Sequence, residues 1–287
     1  MKKDYKIVFI DMDGTLLDED KKIPEENVAA IKELRKLGIP VVLASGKSTG
    51  SLAMLCEECK AGPYVVASNG AIVQNVETGE IIYSKDISKE NASLIYDAGK
   101  TYQLYKYLNV GSLNLIEAEK FGMEPNNKRK LLLIEDIYEY TKTVNEPILK
   151  ISYIDNNKEK LEELRNSLLN IQNVNVRTVG SATFVTYDTE LERYPYYFDI
   201  VSENVTKAEA IEYLLEKLKI DKSEAVAIGD GENDLEMLGA VGLPVAMANA
   251  TNELKDIAKF ITLSNDEAGV AHALNKIFLQ KDKKSVR

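Results

Sequence analysis

FIDMDGTLL, residues 9–17, is the stretch that decides the fold, because an apolar run there ends in two carboxylates, Asp11 and Asp13. Residues 5–10 predict a short buried strand that is rich in β-branched and aromatic side chains. Two carboxylates at this spacing repel each other, and their desolvation adds a further penalty. Such a strand end is stable when a cation lies between the carboxylates or when water reaches them. An ordinary acidic turn is the alternative interpretation.

The overall composition limits the classes of partner. The chain has 287 residues and a formal net charge of −10, and 45% of its residues are hydrophobic. These values are typical of a globular protein with one large or two ordinary domains. Because nucleic-acid phosphates require a basic surface, the acidic balance predicts that nucleic acid is not a partner. An anionic small molecule would require a local cation to overcome the overall field.

The N-terminus and the cysteines predict the cellular compartment of the protein. No apolar run is long enough to cross a bilayer, and Asp11 and Asp13 interrupt the segment where a secretion signal would be apolar. Cys56 and Cys59 fall in a helical pattern that predicts burial, and the single histidine, His272, is far from them, which disfavours a zinc site. We therefore expect a cytoplasmic protein, monomeric or homodimeric, without a membrane partner.

Strands and helices alternate in the first third of the chain. A helix from about Pro24 is followed by strands at 39–45 and 64–68 and by a hairpin around 77–80. Apolar residues at helical spacing predict the buried face of that first helix. These residues are Val28, Ile31, Leu34 and Leu37.

The same alternation returns in the last third. A helix from about Lys207, with a capping box in front of it, precedes strands at 224–229 and 243–248, a short helix at 235–238 and a helix from Asn252. Continuous apolar strands between helices predict a parallel sheet that is covered on both faces.

The middle of the chain, residues 84–191, has a different pattern. Strands predicted at 148–154, 174–179 and 183–187 alternate more between polar and apolar residues, and a helix is predicted at 158–169. This pattern is typical of an antiparallel sheet with one face covered by helices. We therefore expect a separate α+β domain inserted into the first, with linkers near Ser84 and 191–197.

Polar side chains follow four of the predicted parallel strands. In an open parallel sheet, ligands bind beyond the carboxyl ends of the strands, so we expect these side chains to share one site. Clustered carboxylates with a few small donors favour Mg²⁺, a hard cation that prefers oxygen ligands. The residues at these strand ends are Asp11, Asp13, Ser45, Asn69, Asp230, Asn233 and Asp234.

Four motifs carry a resemblance to a known family. They are DMDGTLLD at 11–18, LASGK at 43–47, Lys207 within NVTKAEA and IGDGENDLEML at 228–238. With them, the sequence resembles the haloacid dehalogenase-like superfamily and, within it, the Cof-type phosphatases with an inserted α+β cap of the C2B type. The resemblance implies an α/β fold: a Rossmann-like parallel-sheet catalytic core at 1–83 and 192–287, and a substrate-selecting cap at 84–191.

The resemblance also implies a reaction. It implies Mg²⁺-dependent hydrolysis of a small phosphorylated metabolite, either a sugar phosphate or a phosphorylated cofactor. Asp11 would be the nucleophile that forms an aspartyl-phosphate, and Asp13 would first donate a proton to the leaving group and then activate water. Asp11, the backbone carbonyl of Asp13, Asp230 and Asp234 would hold the metal ion.

The same resemblance assigns the groups that bind phosphate. Ser45 and Lys207 would bind the phosphoryl oxygens, and Asn233 would orient Lys207 or the phosphate. Two departures from the family pattern occur: Lys47 replaces the usual Arg, which removes bidentate binding of an anion, and Ala208 replaces the usual Gly. The expected phosphate- and substrate-binding residues are Met12, Gly14, Ser45, Gly46, Lys47 and Asn233, with Lys207 as a catalytic residue.

Alternative functions remain open at this point. One is a phosphomutase of the phosphomannomutase-like type, since similar caps occur among those relatives. A signalling module with a phosphorylated Asp would use clustered Asp, Mg²⁺ and a Lys, although such modules are about half this length. A catalytically silent binding protein is the third alternative. Asn69 and Asn249 are compatible both with stabilising turns and with a functional role.

Overall fold

The computed structural model describes residues 4–117, 131–181 and 196–279, which fall into two compact units. The first unit comprises Met1–Tyr83 and Thr206–Arg287, and the second comprises Ser84–Val205. The second unit begins at the predicted Ser84, but it extends to Val205 rather than ending at 191. The reason is that residues 196–201 pair with another strand of that unit. The predicted boundary at 191 and 192 and the predicted strand at 183–187 lie outside the described residues.

An eight-stranded sheet forms the centre of the first unit. Its strands are β1 (Ile7–Ile10), β2 (Val41–Ala44), β3 (Tyr64–Ala67), β4 (Ile72–Asn75), β5 (Ile81–Ser84), β13 (Ala225–Gly229), β14 (Leu243–Ala246) and β15 (Phe260–Ile261). The order is β15-β14-β13-β1-β2-β3-β4-β5. All neighbours from β15 to β3 are parallel, whereas β3 and β4 are antiparallel. The predicted parallel α/β core is confirmed.

Helices precede or follow the parallel strands of this sheet along the chain. They are α1 (Glu25–Lys36), α2 (Thr49–Cys59), α6 (Lys207–Leu218), α7 (Leu235–Gly239), α8 (Asn252–Ile257) and α9 (Gly269–Leu274). Cys56 and Cys59 on α2 are buried, as predicted, and burial raises the pKa of both thiols, that of Cys59 to about 11. Among the described residues, no helix is both long and apolar enough to cross a membrane.

The buried face of α1 differs from the prediction at two positions. Ile31 and Leu34 are buried as expected, but Val28 is only half-buried and Leu37 is 61% exposed. Leu37 is the C-cap that follows the last helical residue, just before the turn at Gly38. The buried face instead includes Asn27.

The second unit is a helix-covered sheet. Its strands are β6 (Tyr105–Val110), β7 (Leu113–Glu117), β8 (Leu131–Ile134), β9 (Ile148–Asp155), β10 (Val174–Val176), β11 (Gly180–Ser181) and β12 (Tyr196–Ser202), and its helices are α3 (Lys89–Gly99), α4 (Ile137–Thr143) and α5 (Lys158–Leu168). The strand order is β10-β12-β9-β6-β7-β8, and β11 pairs with β12. The pairing is antiparallel as predicted, except that β7 and β8 are parallel. The helices and one sheet face enclose an apolar core.

Substitution of Asn27 tests how much the stability of the fold depends on one buried side-chain amide. Its Nδ2 donates to the Leu16 carbonyl at 3.3 Å, and its Oδ1 accepts from the Ala271 backbone N–H at 2.8 Å. Asn27→Ala leaves both backbone groups without this partner, so we expect the free energy of unfolding to fall by about 2–4 kcal/mol. Urea unfolding measures it, with the exposed neighbour Glu26→Ala as the control. Equal stabilities of the two variants would contradict the prediction.

Candidate active site

The turn after β1 brings Asp11 to the carboxyl edge of the sheet. The Asp11 backbone N–H donates to the Ile228 carbonyl of β13 at 3.0 Å, which extends the β1–β13 pairing to the aspartate itself. The Met12 carbonyl then accepts hydrogen bonds from three successive N–H groups, those of Thr15, Leu16 and Leu17. The chain therefore turns sharply directly after Asp11, and Asp11 stays at the strand end.

The same turn packs tightly against Asp230, which follows β13. Thr15 Oγ1 donates to Asp230 Oδ1 at 2.6 Å. Gly14 has a φ of +81°, and a Cβ placed there would lie 2.3 Å from Asp230 Oδ2. Only glycine fits this approach, because both the backbone conformation and the space exclude a side chain. The early and late acidic motifs are therefore in direct contact.

Lys207 joins two carboxylates inside this contact. Its side chain is 2% exposed, and its Nζ lies 2.5 Å from Asp11 Oδ1 and 2.7 Å from Asp234 Oδ1. Lys207 is the first residue of α6, whose N-cap is the Thr206 hydroxyl, which accepts from the Glu209 N–H at 3.1 Å. Gly70, at φ +101°, allows the turn after β3 to approach this helix start, since a Cβ there would lie 2.0 Å from the Thr206 carbonyl oxygen.

Asp234 is fully buried, and its carboxylate holds the ammonium group of Lys207 in place. Its Oδ2 accepts from the backbone N–H groups of Asp230 and Gly231, at 3.2 Å each, while its Oδ1 accepts from Lys207. The sequence predicts that Asn233 orients Lys207 or the phosphate. In the structure, the side chain that contacts Lys207 is that of Asp234. Asn233 lies in the wall of the cavity described below. Asp234 points inward because the loop turns around its carboxylate.

The buried charges of this cluster are unequal, because three carboxylates face one ammonium. Burial raises the pKa of Asp11 to about 7; the carboxylates of Asp234 and Asp230 add to this rise, and Lys207 opposes it. Burial also raises the pKa of Asp230, against the hydrogen bond from Thr15. For Lys207, burial lowers the pKa, but Asp11 and Asp234 outweigh it, so the pKa is raised. The cluster therefore favours additional positive charge.

The donor set fits a hard divalent cation. One carboxylate oxygen from each of Asp11, Asp230 and Asp234 lies within 4.8 Å of the others. Oxygen ligands without imidazole or thiolate are those that Mg²⁺ prefers. Because Asp234 already accepts three hydrogen bonds, Asp11 and Asp230 are the better ligands, with Asp234 as their support.

A cavity of about 370 Å³ opens beside Asp11. It collects side chains from the ends of β1, β2, β3 and β13, as the strand-end argument predicts. Most expected substrate-binding residues contribute to it, but Met12 is buried in the apolar core and Gly14 lies against Asp230. The cavity is lined by Asp11, Asp13, Ser45, Gly46, Lys47, Asn69, Asp230, Gly231 and Asn233.

Two asparagines hold the turn after Asp11, and sequence reasoning missed one of them. Asn249 Nδ2 donates to the Gly14 carbonyl at 2.8 Å, so this residue serves the site and not merely its own turn. Asn265, which was not predicted, donates to the Leu17 carbonyl at 3.1 Å, and its backbone N–H donates to Asn249 Oδ1 at 3.1 Å. Thr15 was also missed. The signal for Asn265 is its place in SNDEAGVAHAL at 264–274, a stretch that resembles one common in the Cof-type proteins.

Comparisons with known proteins show the family of this chain. A family model described as haloacid dehalogenase-like hydrolase matches residues 8–274. A Streptococcus pyogenes serotype M6 protein that carries the name of a phosphatase is 33% identical over 275 residues, which are 94% of this chain and 97% of that protein. The crystal structure of a haloacid dehalogenase-like hydrolase from Bacteroides thetaiotaomicron matches with a TM-score of 0.78 and 29% identity, over 96% of this chain and 100% of that one.

A third relative carries a substrate in its name. It is the 5-amino-6-(5-phospho-D-ribitylamino)uracil phosphatase of Bacillus subtilis strain 168. The two sequences are 28% identical over 271 residues, which are 94% of this chain and 95% of that enzyme.

The raised pKa of Asp11 predicts how pH changes stability and Mg²⁺ binding. Without metal, protonated Asp11 favours the folded state, and this stabilisation is lost as the pH rises toward and through about 7. Mg²⁺ binds the deprotonated carboxylates, so we expect the increase in Tm that Mg²⁺ causes to grow between about pH 6 and pH 8. Thermal unfolding at constant ionic strength, with and without MgCl₂, measures this increase.

Two variants control that experiment. In Asp11→Asn the effect of Mg²⁺ on Tm should shrink and lose its pH dependence, because a carboxylate ligand is gone. Asp20→Asn removes an exposed carboxylate nearby and should behave like the unmodified protein. An effect of Mg²⁺ that is the same in Asp11→Asn and in the unmodified protein would refute the assignment.

Proposed function

The chain belongs to the haloacid dehalogenase-like hydrolases of the Cof type, and from that membership we propose that it hydrolyses phosphate monoesters through a phosphorylated Asp11 with the help of Mg²⁺. It is a phosphoric monoester hydrolase for small phosphorylated substrates. The observation that carries the finer proposal is the contact of Asp11 with Lys207 beside Asp230.

In the first step, Asp11 attacks the phosphorus of the ester. Lys207 holds Oδ1, which fixes the side chain and leaves Oδ2 for the attack. The new Oδ2–P bond forms while the bond from phosphorus to the ester oxygen breaks, and Asp13, protonated at this stage, gives its proton to that oxygen. The products of this step are the alcohol and an aspartyl-phosphate. Asp13 suits this role because its side chain is 47% exposed at the cavity, whereas that of Asp11 is buried.

In the second step, water replaces Asp11 on the phosphorus. Asp13, now a carboxylate, takes a proton from a water molecule, whose oxygen bonds to phosphorus. The bond between phosphorus and Asp11 breaks, which returns the Asp11 carboxylate and releases inorganic phosphate. Lys207 remains on Asp11 and stabilises the carboxylate as it leaves.

Mg²⁺ would be held by Asp11, Asp230 and the backbone carbonyl of Asp13, and Asp234 would support these ligands. When bound, it would neutralise the crowded carboxylates and the charge of the phosphoryl group. Ser45, Gly46, Lys47 and Asn233 at the cavity wall would bind the phosphoryl oxygens or the adjoining part of the substrate. Backbone donors near Met12 and Gly14 would complete the phosphate site.

The substrate is proposed by class. We assign the choice of the organic group to the second unit, as the cap, and expect a sugar phosphate or a phosphorylated cofactor. The ribityl phosphate named for one relative supports this class, because it combines a polyol phosphate with a heterocyclic ring. A panel of phosphorylated metabolites tests the class, and isomerisation without phosphate release would indicate a mutase instead.

Asp11→Asn is the direct test of the nucleophile. Because an amide oxygen is a poor nucleophile, phosphate release should fall by about a thousandfold or more, while the fold is retained. Phosphate release in MgCl₂, checked against circular dichroism, measures this loss. Chelation with EDTA should abolish activity in the unmodified protein, and added Mg²⁺ should restore it.

Asp20→Asn is the matched control for that test, since Asp20 carries an exposed carboxylate in the same loop. It should keep the activity of the unmodified protein. If Asp11→Asn retained comparable activity, the covalent mechanism would be wrong.

A further inference from the structure

Lys21 is a residue that no motif assigns, and it lies at the tip of a tight turn near the active site. The turn spans residues 18–22. The Lys21 N–H donates to the Asp18 carbonyl at 3.0 Å, and the Asp18 N–H donates to the Lys22 carbonyl at 2.9 Å. The Lys22 N–H also donates to Asp18 Oδ1 at 2.8 Å. The backbone that carries Lys21 is therefore fixed by its own hydrogen bonds.

The conformation of Lys21 is unusual for a lysine. Its φ is +62°, in the left-handed region, where a non-glycine residue is disfavoured by about 1–2 kcal/mol. Glycine or asparagine would occupy this turn position with less strain. The turn is also tied to another loop, since the Glu19 N–H donates to Asp266 Oδ1 at 3.0 Å. The position of Lys21 is therefore fixed both by its own turn and by this second loop.

The side chain of Lys21 reaches Asp13. Lys21 Nζ lies 3.7 Å from Asp13 Oδ1, while Lys47 Nζ pairs with Asp13 Oδ2. The two lysines come from different parts of the unit: Lys47 follows β2, and Lys21 follows the turn after β1. Each exposed ion pair is weak alone, but two pairs on opposite oxygens restrict rotation of the carboxylate.

We propose that Lys21 is a positioning residue for Asp13. Together with Lys47, it holds the Asp13 carboxyl group in the orientation from which the proton passes to the leaving oxygen. This inference rests on the proposed function, in which Asp13 is the acid and base. It predicts that Lys21 matters most when the leaving group depends on that proton.

Two substrates separate positioning from a general structural role. An alkyl phosphate such as glycerol phosphate needs a proton on its leaving oxygen, whereas p-nitrophenyl phosphate releases a stable phenolate. Lys21→Met should lower kcat for the alkyl phosphate by about tenfold, because a misplaced acid loses part of its contribution. For p-nitrophenyl phosphate, the change in kcat should stay within about twofold.

Matched variants sharpen this test. Lys22→Met removes the neighbouring lysine, whose side chain is 76% exposed and pairs with Asp20, and should leave both rates unchanged. Lys21→Arg should recover most of the lost rate, since it restores a cation. In an Asp13→Asn background, Lys21→Met should add no more than about twofold, because the group that it positions is gone.

Several results would overturn the inference. One is an equal loss of kcat for both substrates, which would indicate a structural role. Another is a rise in KM confined to a doubly anionic substrate such as a bisphosphate, which would make Lys21 a substrate-binding residue. Absence of phosphate release from the unmodified protein would refute the proposed function instead.

Independently of activity, a crystal structure of Lys21→Met should show the Asp13 side chain in a new rotamer, and an unmoved carboxylate would also refute positioning.

Discussion

The contact on which the site depends is the buried ammonium of Lys207 between Asp11 and Asp234. It joins the end of β1, the start of α6 and the loop after β13, segments that are far apart in the sequence. A buried charge that loses its partner is strongly destabilising, so these three segments must be in place together. The parallel neighbours β1 and β13 bring the two acidic loops to the same sheet edge, and α6 supplies the cation from the side.

The surroundings of Asp11 and Asp13 support the different roles that we propose for the two aspartates of one motif. Asp11 is buried in a cluster with excess negative charge, whereas Asp13 is exposed at the cavity between two lysines. Pairs of carboxylates whose environments differ in this way are typical of acid–base and nucleophilic catalysis. The buried excess charge also explains why a divalent cation suits the first aspartate.

The strand-end positions of Asp11, Ser45 and Asp230 could be predicted, because apolar strands between helices form a parallel sheet whose carboxyl ends meet at one edge. Side-chain partners within the loops could not. Asp234, rather than Asn233, contacts Lys207 because its carboxylate caps two backbone N–H groups, a loop geometry without any sequence period. The sequence also did not reveal the return boundary, because the linker expected at 191–197 overlaps β12 (Tyr196–Ser202), and only the pairing of β12 with β9 assigns that strand to the second unit.

The most direct measurement is a crystal structure of the protein grown with Mn²⁺ in place of Mg²⁺, with anomalous diffraction used to locate the ion. The packing of Gly14 and Thr15 on Asp230 predicts one anomalous peak shared by the carboxylates of Asp11 and Asp230. Lys207 should remain within hydrogen-bond distance of Asp234 in that structure. An intact acidic cluster without a peak, at Mn²⁺ concentrations that support phosphate release, would contradict the account.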